Sequence, residues 1–175
     1  RGVVFRWVFV GIAAKLPAHL GLGIGERRRI AIDDPGHAIG VVEGDVQTTA
    51  DADRIAAHDV PVVQINTGGA CHLDARQIEN ALDTTDLMPA EILIIENVGN
   101  LICPTTYDLG EDFKVALLSV TEGDDKPIKY PAIFSRADVT VITKSDLLPY
   151  VPFDLDTVKA HIATLNPTGV ILVVS

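Results

Sequence analysis

The sequence is poor in several features that mark whole classes of protein. Cysteine occurs only as Cys71 and Cys103 in 175 residues. Two cysteines so far apart cannot form a disulfide framework, and no signal peptide is evident ahead of them. A reducing, cytoplasmic setting is the expectation, where cysteine serves as a metal ligand or a buried hydrophobe. Positive charge is also scarce: 14 Lys and Arg stand against 24 Asp and Glu, a net charge of −10. That balance argues against nucleic acid or an anionic membrane as partner, the short basic run at 27–29 notwithstanding. No apolar run approaches the ~20 residues needed to span a bilayer, and the run at 3–10 is broken by Arg6. Aromatic residues make up 5% of the chain, and neither Trp7 nor Tyr130 suggests a cofactor box. Internal repeats, linkers and low-complexity stretches are lacking.

Apolar material is plentiful. At 47% hydrophobic, the chain can fill one core of ordinary size in a single domain. Short β-branched runs recur at 3–10, 39–42, 60–65, 91–95, 115–120, 139–143 and 170–174. They are continuously apolar, as in strands covered on both faces. Helical patterns lie between them at 50–57, 73–82, 127–135 and 155–165. This alternation predicts a three-layer α/β fold with a mostly parallel sheet of about seven strands. In such sheets ligands gather where strands end at their carboxyl side, so the loops there are the candidate site.

Those loops are polar and specific. Thr143-Lys144-Ser145-Asp146 fits the [N/T]-K-x-D pattern of guanine recognition. Guanine presents two adjacent donors that one carboxylate can accept, while a lysine stem can cover the base. Glu96-Asn97-Val98-Gly99 ends an apolar strand. A carboxylate there can hold Mg²⁺ through water, and Gly99 can offer its N–H to a γ-phosphate. Asp45 is a second candidate carboxylate on the neighbouring loop. Gly69-Ala70-Cys71-His72 offers a thiolate and an imidazole at a loop-to-helix junction, a donor set suited to Zn²⁺ or Ni²⁺. Cys103 can add a third ligand if the two loops are neighbours. Two buried cysteines and a capping histidine are the plainer alternative. His19, His37, His58 and His161 lack ligand spacing, and Asp51, Asp53 and Arg54 read as the solvated start of a helix.

In this order the motifs resemble the hydrogenase nickel-incorporation GTPase family (HypB type). The matching segments are VVEGDVQTTADADRI, VPVVQINTGGACHLDA, ILIIENVGNLICP, DLGEDFKVALLSVTEGDDKPIKYP and TKSDLLPYVPFDLD, covering about 39–156. The urease-accessory GTPases are a weaker match, because they carry Cys-Pro-His where Cys71 and His72 are adjacent. The resemblance implies a P-loop NTPase-like fold and a GTPase that uses GTP/GDP with Mg²⁺. It also implies delivery of Ni²⁺ to a [NiFe]-hydrogenase large subunit alongside other maturation factors. A homodimer with a Ni²⁺ or Zn²⁺ site at its interface belongs to the same picture. Residue by residue, Cys71, His72 and Cys103 match the metal ligands. Asp45, Glu96 and Gly99 match the Mg²⁺ and switch positions, and Thr143, Lys144 and Asp146 match the guanine motif.

One element of the pattern is missing. The family's first strand runs into a glycine-rich phosphate loop ending in Gly-Lys-Ser/Thr, and no such triplet occurs in the 175 residues. Here the region reads Gly11-Ile12-Ala13-Ala14-Lys15-Leu16-Pro17-Ala18-His19-Leu20. The expectation is one G-protein-like domain over 1–175, aberrant at 11–37. A truncated C-terminus is also expected, since Ser175 directly follows a strand. A non-catalytic metal- or partner-binding module that has lost its phosphate loop is the alternative from a different class.

Overall fold

The computed structural model describes residues 11–15 (backbone only), 38–45, 49–85, 87, 90 and 92–175. The predicted run at 3–10 lies outside the described residues, as do His19 and His37.

The alternation seen in the sequence becomes β2 (Ile39–Asp45), α1 (Ala50–Ala56), β3 (Val62–Asn66), α2 (Ala75–Thr84) and β4 (Ile92–Glu96). It continues through β5 (Phe113–Ser119), α3 (Lys126–Lys129), α4 (Pro131–Arg136), β6 (Val139–Thr143), α5 (Leu155–Leu165) and β7 (Val170–Val173). With β1 (Gly11–Lys15) these strands form one sheet in the order β3-β2-β4-β1-β5-β6-β7. Six of the strands correspond to apolar runs read from the sequence, and all six point the same way. The seventh, β1, carries no strand pattern in the sequence. It lies at the centre of the sheet, antiparallel to both β4 and β5.

Helix boundaries follow local chemistry. In α2, Asp74 and Gln77 form a reciprocal capping box, and Ile78 and Ala81 turn inward. Asp154 caps α5 by accepting from the Thr157 N–H at 3.0 Å, and Val158 and Ile162, one turn apart, are buried. The single helix expected at 127–135 is in fact two, α3 and α4. Pro131 disfavours a helical conformation at Tyr130, which sits at φ −128° and ψ 57° and breaks the run.

Alternate residues of β2 enter different clusters, which shows that both faces of this half of the sheet are covered. Val42 packs with Leu73, Ile78, Leu93 and Ile95 against α2. Ile39 and Val41 pack with Val60, Ile92 and Ile55 on the α1 side. A third cluster joins Ala116, Leu118 and Ile142 to Phe134 of α4 and to Val158 and Ile162 of α5. Gly44 is needed for close approach: a Cβ there would lie 2.7 Å from Leu73 side-chain carbons. Leu73, fully buried over Gly44, thereby anchors the segment that carries Cys71 and His72.

Candidate functional site

Because the six co-directional strands end on one edge, Asp45, Asn66, Glu96, Ser119 and Thr143 line up there. Glu96 ends β4, and Asp45, expected on a loop, is instead the last residue of β2. This extension brings in a residue the sequence reading passed over. Glu43 lies inside β2, directly opposite Glu96 on β4. It is 3% exposed, and its Oε2 has no hydrogen-bond partner.

Glu43, Glu96, Asp45 and Asp51 therefore repel one another across a poorly hydrated edge. Burial, then Glu96, Asp45 and Asp51, push the Glu43 carboxyl up to about 7. Burial, then Asp51 and Asp45, do the same for Glu96, also to about 7. Asp51, read from sequence only as part of a solvated helix start, also pairs with Arg54 at 2.6 Å. A concentration of negative charge with an orphaned carboxylate oxygen fits a divalent cation bound to hard oxygen donors.

The two carboxyls make stability depend on pH. Each folded-state value lies above the ordinary 4.5, so the folded chain holds extra protons between about 4.5 and about 7. The stabilisation is complete below about 4.5 and is lost as pH rises through about 7. Without added cation, the unfolding midpoint should fall between about pH 4.5 and about pH 7 and level off above that. Glu43→Gln should flatten that fall and stabilise the chain at the alkaline end, by up to roughly 3 kcal/mol. Calorimetry in metal-free buffer checks this. A midpoint that climbs with pH, or a slope unchanged in the variant, goes against it.

After β3 the chain turns sharply. Asn66 Oδ1 accepts the Gly68 N–H at 2.9 Å, and Gly68 and Gly69 take φ values of 60° and 99°. The turn delivers Cys71 to the surface beside His72, with Cys71 Sγ 3.6 Å from His72 Nδ1. The His72 ring stacks on Tyr107 with centroids 3.7 Å apart. Cys103 opens a 3₁₀ turn, Cys103–Thr106, after β4. The Cys103 thiol nearby is the leading reason that the Cys71 thiol titrates above the ordinary range. The two loops are thus neighbours. Among the described residues, however, no group of three His, Cys, Asp or Glu is arranged to enclose a metal ion.

Two asparagines that carry no distinguishing signal in the sequence tie these loops together. Asn97 is buried, and its Oδ1 accepts the Leu73 N–H at 2.8 Å. Asn100 Nδ2 donates to the Cys71 carbonyl oxygen, and its Oδ1 accepts the Cys103 N–H at 2.8 Å. Gly99 stands between the two, exposed, in a turn closed by the Asn100 N–H and the Val98 carbonyl at 2.7 Å.

Thr143 closes β6, and Lys144 follows with φ 59° and ψ 37°. A left-handed lysine is uncommon, and it reverses the chain into the 3₁₀ turn Ser145–Tyr150. Asp146 lies exposed in the first turn of that segment. Glu122, after β5, forms a 3.7 Å ion pair with Lys126. Burial raises the Glu122 carboxyl, partly offset by Lys126 and Lys144.

The expected first strand ends in a phosphate loop on this same edge. The observed β1 runs the other way. Ile12 lies opposite Glu96, and Lys15 lies opposite Leu93, towards the far edge of the sheet. The backbone at Lys15 therefore lies away from the edge that carries Asp45, Glu96 and Thr143.

A three-layer α/β sheet with its polar residues at the carboxyl ends of the strands defines a domain of the P-loop NTPase-like class. A sequence profile described as "CobW/HypB/UreG, nucleotide-binding domain" matches residues 28–173. The chain belongs to this CobW/HypB/UreG family and is a homologue of the HypB hydrogenase maturation factors. The factor from Azotobacter vinelandii is 51% identical over 144 residues, covering 82% of this chain and 45% of that protein. For Escherichia coli K12 the identity is 51% over 135 residues, covering 77% and 47%. The chain spans about half the length of these curated relatives. The crystal structure of HypB from Helicobacter pylori in complex with nickel superposes with a TM-score of 0.79 at 44% identity. That match covers 82% of this chain and 69% of the other. HypB from Archaeoglobus fulgidus gives a TM-score of 0.72 at 42% identity, covering 78% and 66%. No helix among the described residues is long and apolar enough to cross a membrane.

Proposed function

We propose that this chain is the nickel-handling G domain of a hydrogenase maturation factor. In this reading Cys71, His72 and Cys103 take up Ni²⁺ as cargo for a [NiFe]-hydrogenase large subunit, working with other maturation factors. The observation that carries the reading is that Asn100 joins the loops of Cys71 and Cys103 beside Glu96 and Gly99. The nickel complex of the H. pylori relative supports it. Because His72 is stacked on Tyr107 and no three-donor cage is preformed, the site suits a transient load better than a permanent structural ion. Zn²⁺ shares the donor preference and is the competing metal.

Thr143, Lys144 and Asp146 hold the guanine of GTP or GDP, and Asp45 and Glu96 hold Mg²⁺, which supplies charge neutralisation at the phosphates. Gly99 offers its N–H to the γ-phosphate. Binding and loss of that phosphate would reorder the 96–100 segment and, through it, the thiols. A homodimer would complete the metal coordination from a second copy. The second reading is a metal- or partner-binding module without turnover, favoured by the antiparallel β1 and the missing Gly-Lys-Ser/Thr triplet.

Equilibrium dialysis of Ni²⁺ against wild type, Cys71→Ala and Cys103→Ala tests the metal assignment. Each variant should bind more weakly. Wild-type binding should tighten as pH rises, because the Cys71 thiol, raised above its ordinary range, must lose its proton to solvent before its sulfur can bind the metal. Unchanged stoichiometry and affinity in both variants would remove the shared thiolate site.

A further inference from the structure

We infer that Asn100 sets the spacing of the two candidate metal-binding thiols, as a positioning residue and not a ligand. This rests on the metal reading proposed above. One side chain bonds to both cysteine backbones. Asn100 Nδ2 donates to the carbonyl of Cys71 on the loop after β3. Its Oδ1 accepts the N–H groups of Ile102 and Cys103, at 2.9 and 2.8 Å, on the loop after β4. The amide orientation is fixed by its surroundings. The reverse orientation would set an NH₂ group against two N–H donors and an oxygen against a carbonyl.

The chemistry calls for asparagine at this position. Aspartate has the reach and the acceptor but lacks the donor for Cys71. Glutamine has both groups on a longer stem. Alanine leaves the two loops joined by Asn97, which bonds to Leu73 beyond the cysteine, and by the His72–Tyr107 stack, neither of which bonds to the Cys71 or Cys103 backbone. The strap holds the backbone of Cys71 against that of Cys103, so both thiols are carried on one hydrogen-bonded junction. Asn97 and Asn100 also bracket Gly99, so a displacement of that turn is passed directly to the carbonyl of Cys71 and the N–H of Cys103.

Asn100→Asp isolates the link between the loops. It keeps the two acceptor bonds to Ile102 and Cys103 and turns a second oxygen towards the Cys71 carbonyl. Ni²⁺ alone, without nucleotide, is titrated into wild type, Asn100→Asp, Asn100→Ala and Cys71→Ala. Binding is followed by the thiolate-to-nickel charge-transfer absorption, and circular dichroism confirms that each variant is folded. Both Asn100 variants are expected to lose about 10- to 100-fold in affinity, the usual effect of removing a group that orients ligands. The loss in Asn100→Asp would occur despite its added negative charge.

A second readout needs no metal. Oxidised glutathione converts the two thiols into a Cys71–Cys103 disulfide and is itself reduced to two glutathione thiols, which carry away the two protons and two electrons. Asn100→Asp should slow the intramolecular closure step about tenfold, because the sulfurs are no longer held together. Closure at the wild-type rate in that variant overturns the inference. If Cys71→Ala binds Ni²⁺ as wild type does, the metal reading fails instead, and the closure rate alone decides the role of Asn100.

Discussion

The 175-residue chain should hydrolyse GTP negligibly, although its family is nucleotide-binding. Transition-state charge in phosphoryl transfer is stabilised by backbone N–H groups of the phosphate loop, by its lysine and by Mg²⁺. Losing one such preorganised donor costs roughly 10²- to 10³-fold in rate, and the Gly-Lys-Ser/Thr triplet that completes such a cradle does not occur in the sequence. Lys15 offers no substitute. It lies towards the far edge of the sheet from Glu96, and neither neighbour in sequence is a Ser or Thr that could reach Mg²⁺. Asp45, Glu96 and Asp146 would then face a nucleotide held at its base and its metal but not along its phosphates. Replacing 11–20 with a G-x-x-x-x-G-K-[S/T] loop should raise turnover by several orders of magnitude. The gain requires β1 to reverse and join its neighbours in parallel, which the graft favours by returning the loop to the edge where anionic phosphate is wanted. Phosphate release from the original and grafted chains is the measurement. Substantial turnover in the original chain, abolished by Glu96→Ala, would show that another segment supplies the cradle.

In the grafted chain, Asp146→Asn should exchange guanine for xanthine specificity. An aspartate carboxylate accepts both guanine donors. Asparagine keeps one acceptor and gains a donor, which suits the carbonyl that xanthine carries in place of the amine. A hydrogen bond to a charged group is worth about 1.5–3 kcal/mol, so guanine affinity should fall roughly 10- to 150-fold while xanthine affinity rises. Competition binding with GDP and XDP reads both changes. Equal discrimination by the two proteins would take Asp146 out of the base site. The left-handed Lys144 makes the placement of Asp146 a backbone property, so the substitution should leave the fold unchanged.

Much of the local architecture is written in short stretches of sequence. The 139–143 strand and the 155–165 helix appear with the bounds read from pattern alone. A continuous β-branched run, or an N-capping aspartate followed by apolar residues one turn apart, carries its own conformational preference. The break at Tyr130 was also legible in principle, since the following proline is its cause. The candidate residues Asp45, Cys71, His72, Glu96, Gly99, Cys103, Thr143, Lys144 and Asp146 were all visible as polar punctuation after apolar runs. Parallel strands carry such punctuation to one edge.

What the tertiary structure alone decided is everything that depends on which segments pair. Glu43 does not stand out in the sequence, because nothing nearby shows that β2 continues to Asp45 and sets Glu43 opposite Glu96. Asn97 and Asn100 look like ordinary turn asparagines until the Cys71 loop is brought against them. The stretch 11–15 has no distinctive pattern of its own. Its central, antiparallel place comes from the hydrogen bonds that β4 and β5 offer on either side. Local propensity is a property of neighbours in sequence, whereas pairing, burial and the pKa values that follow from them are properties of neighbours in space.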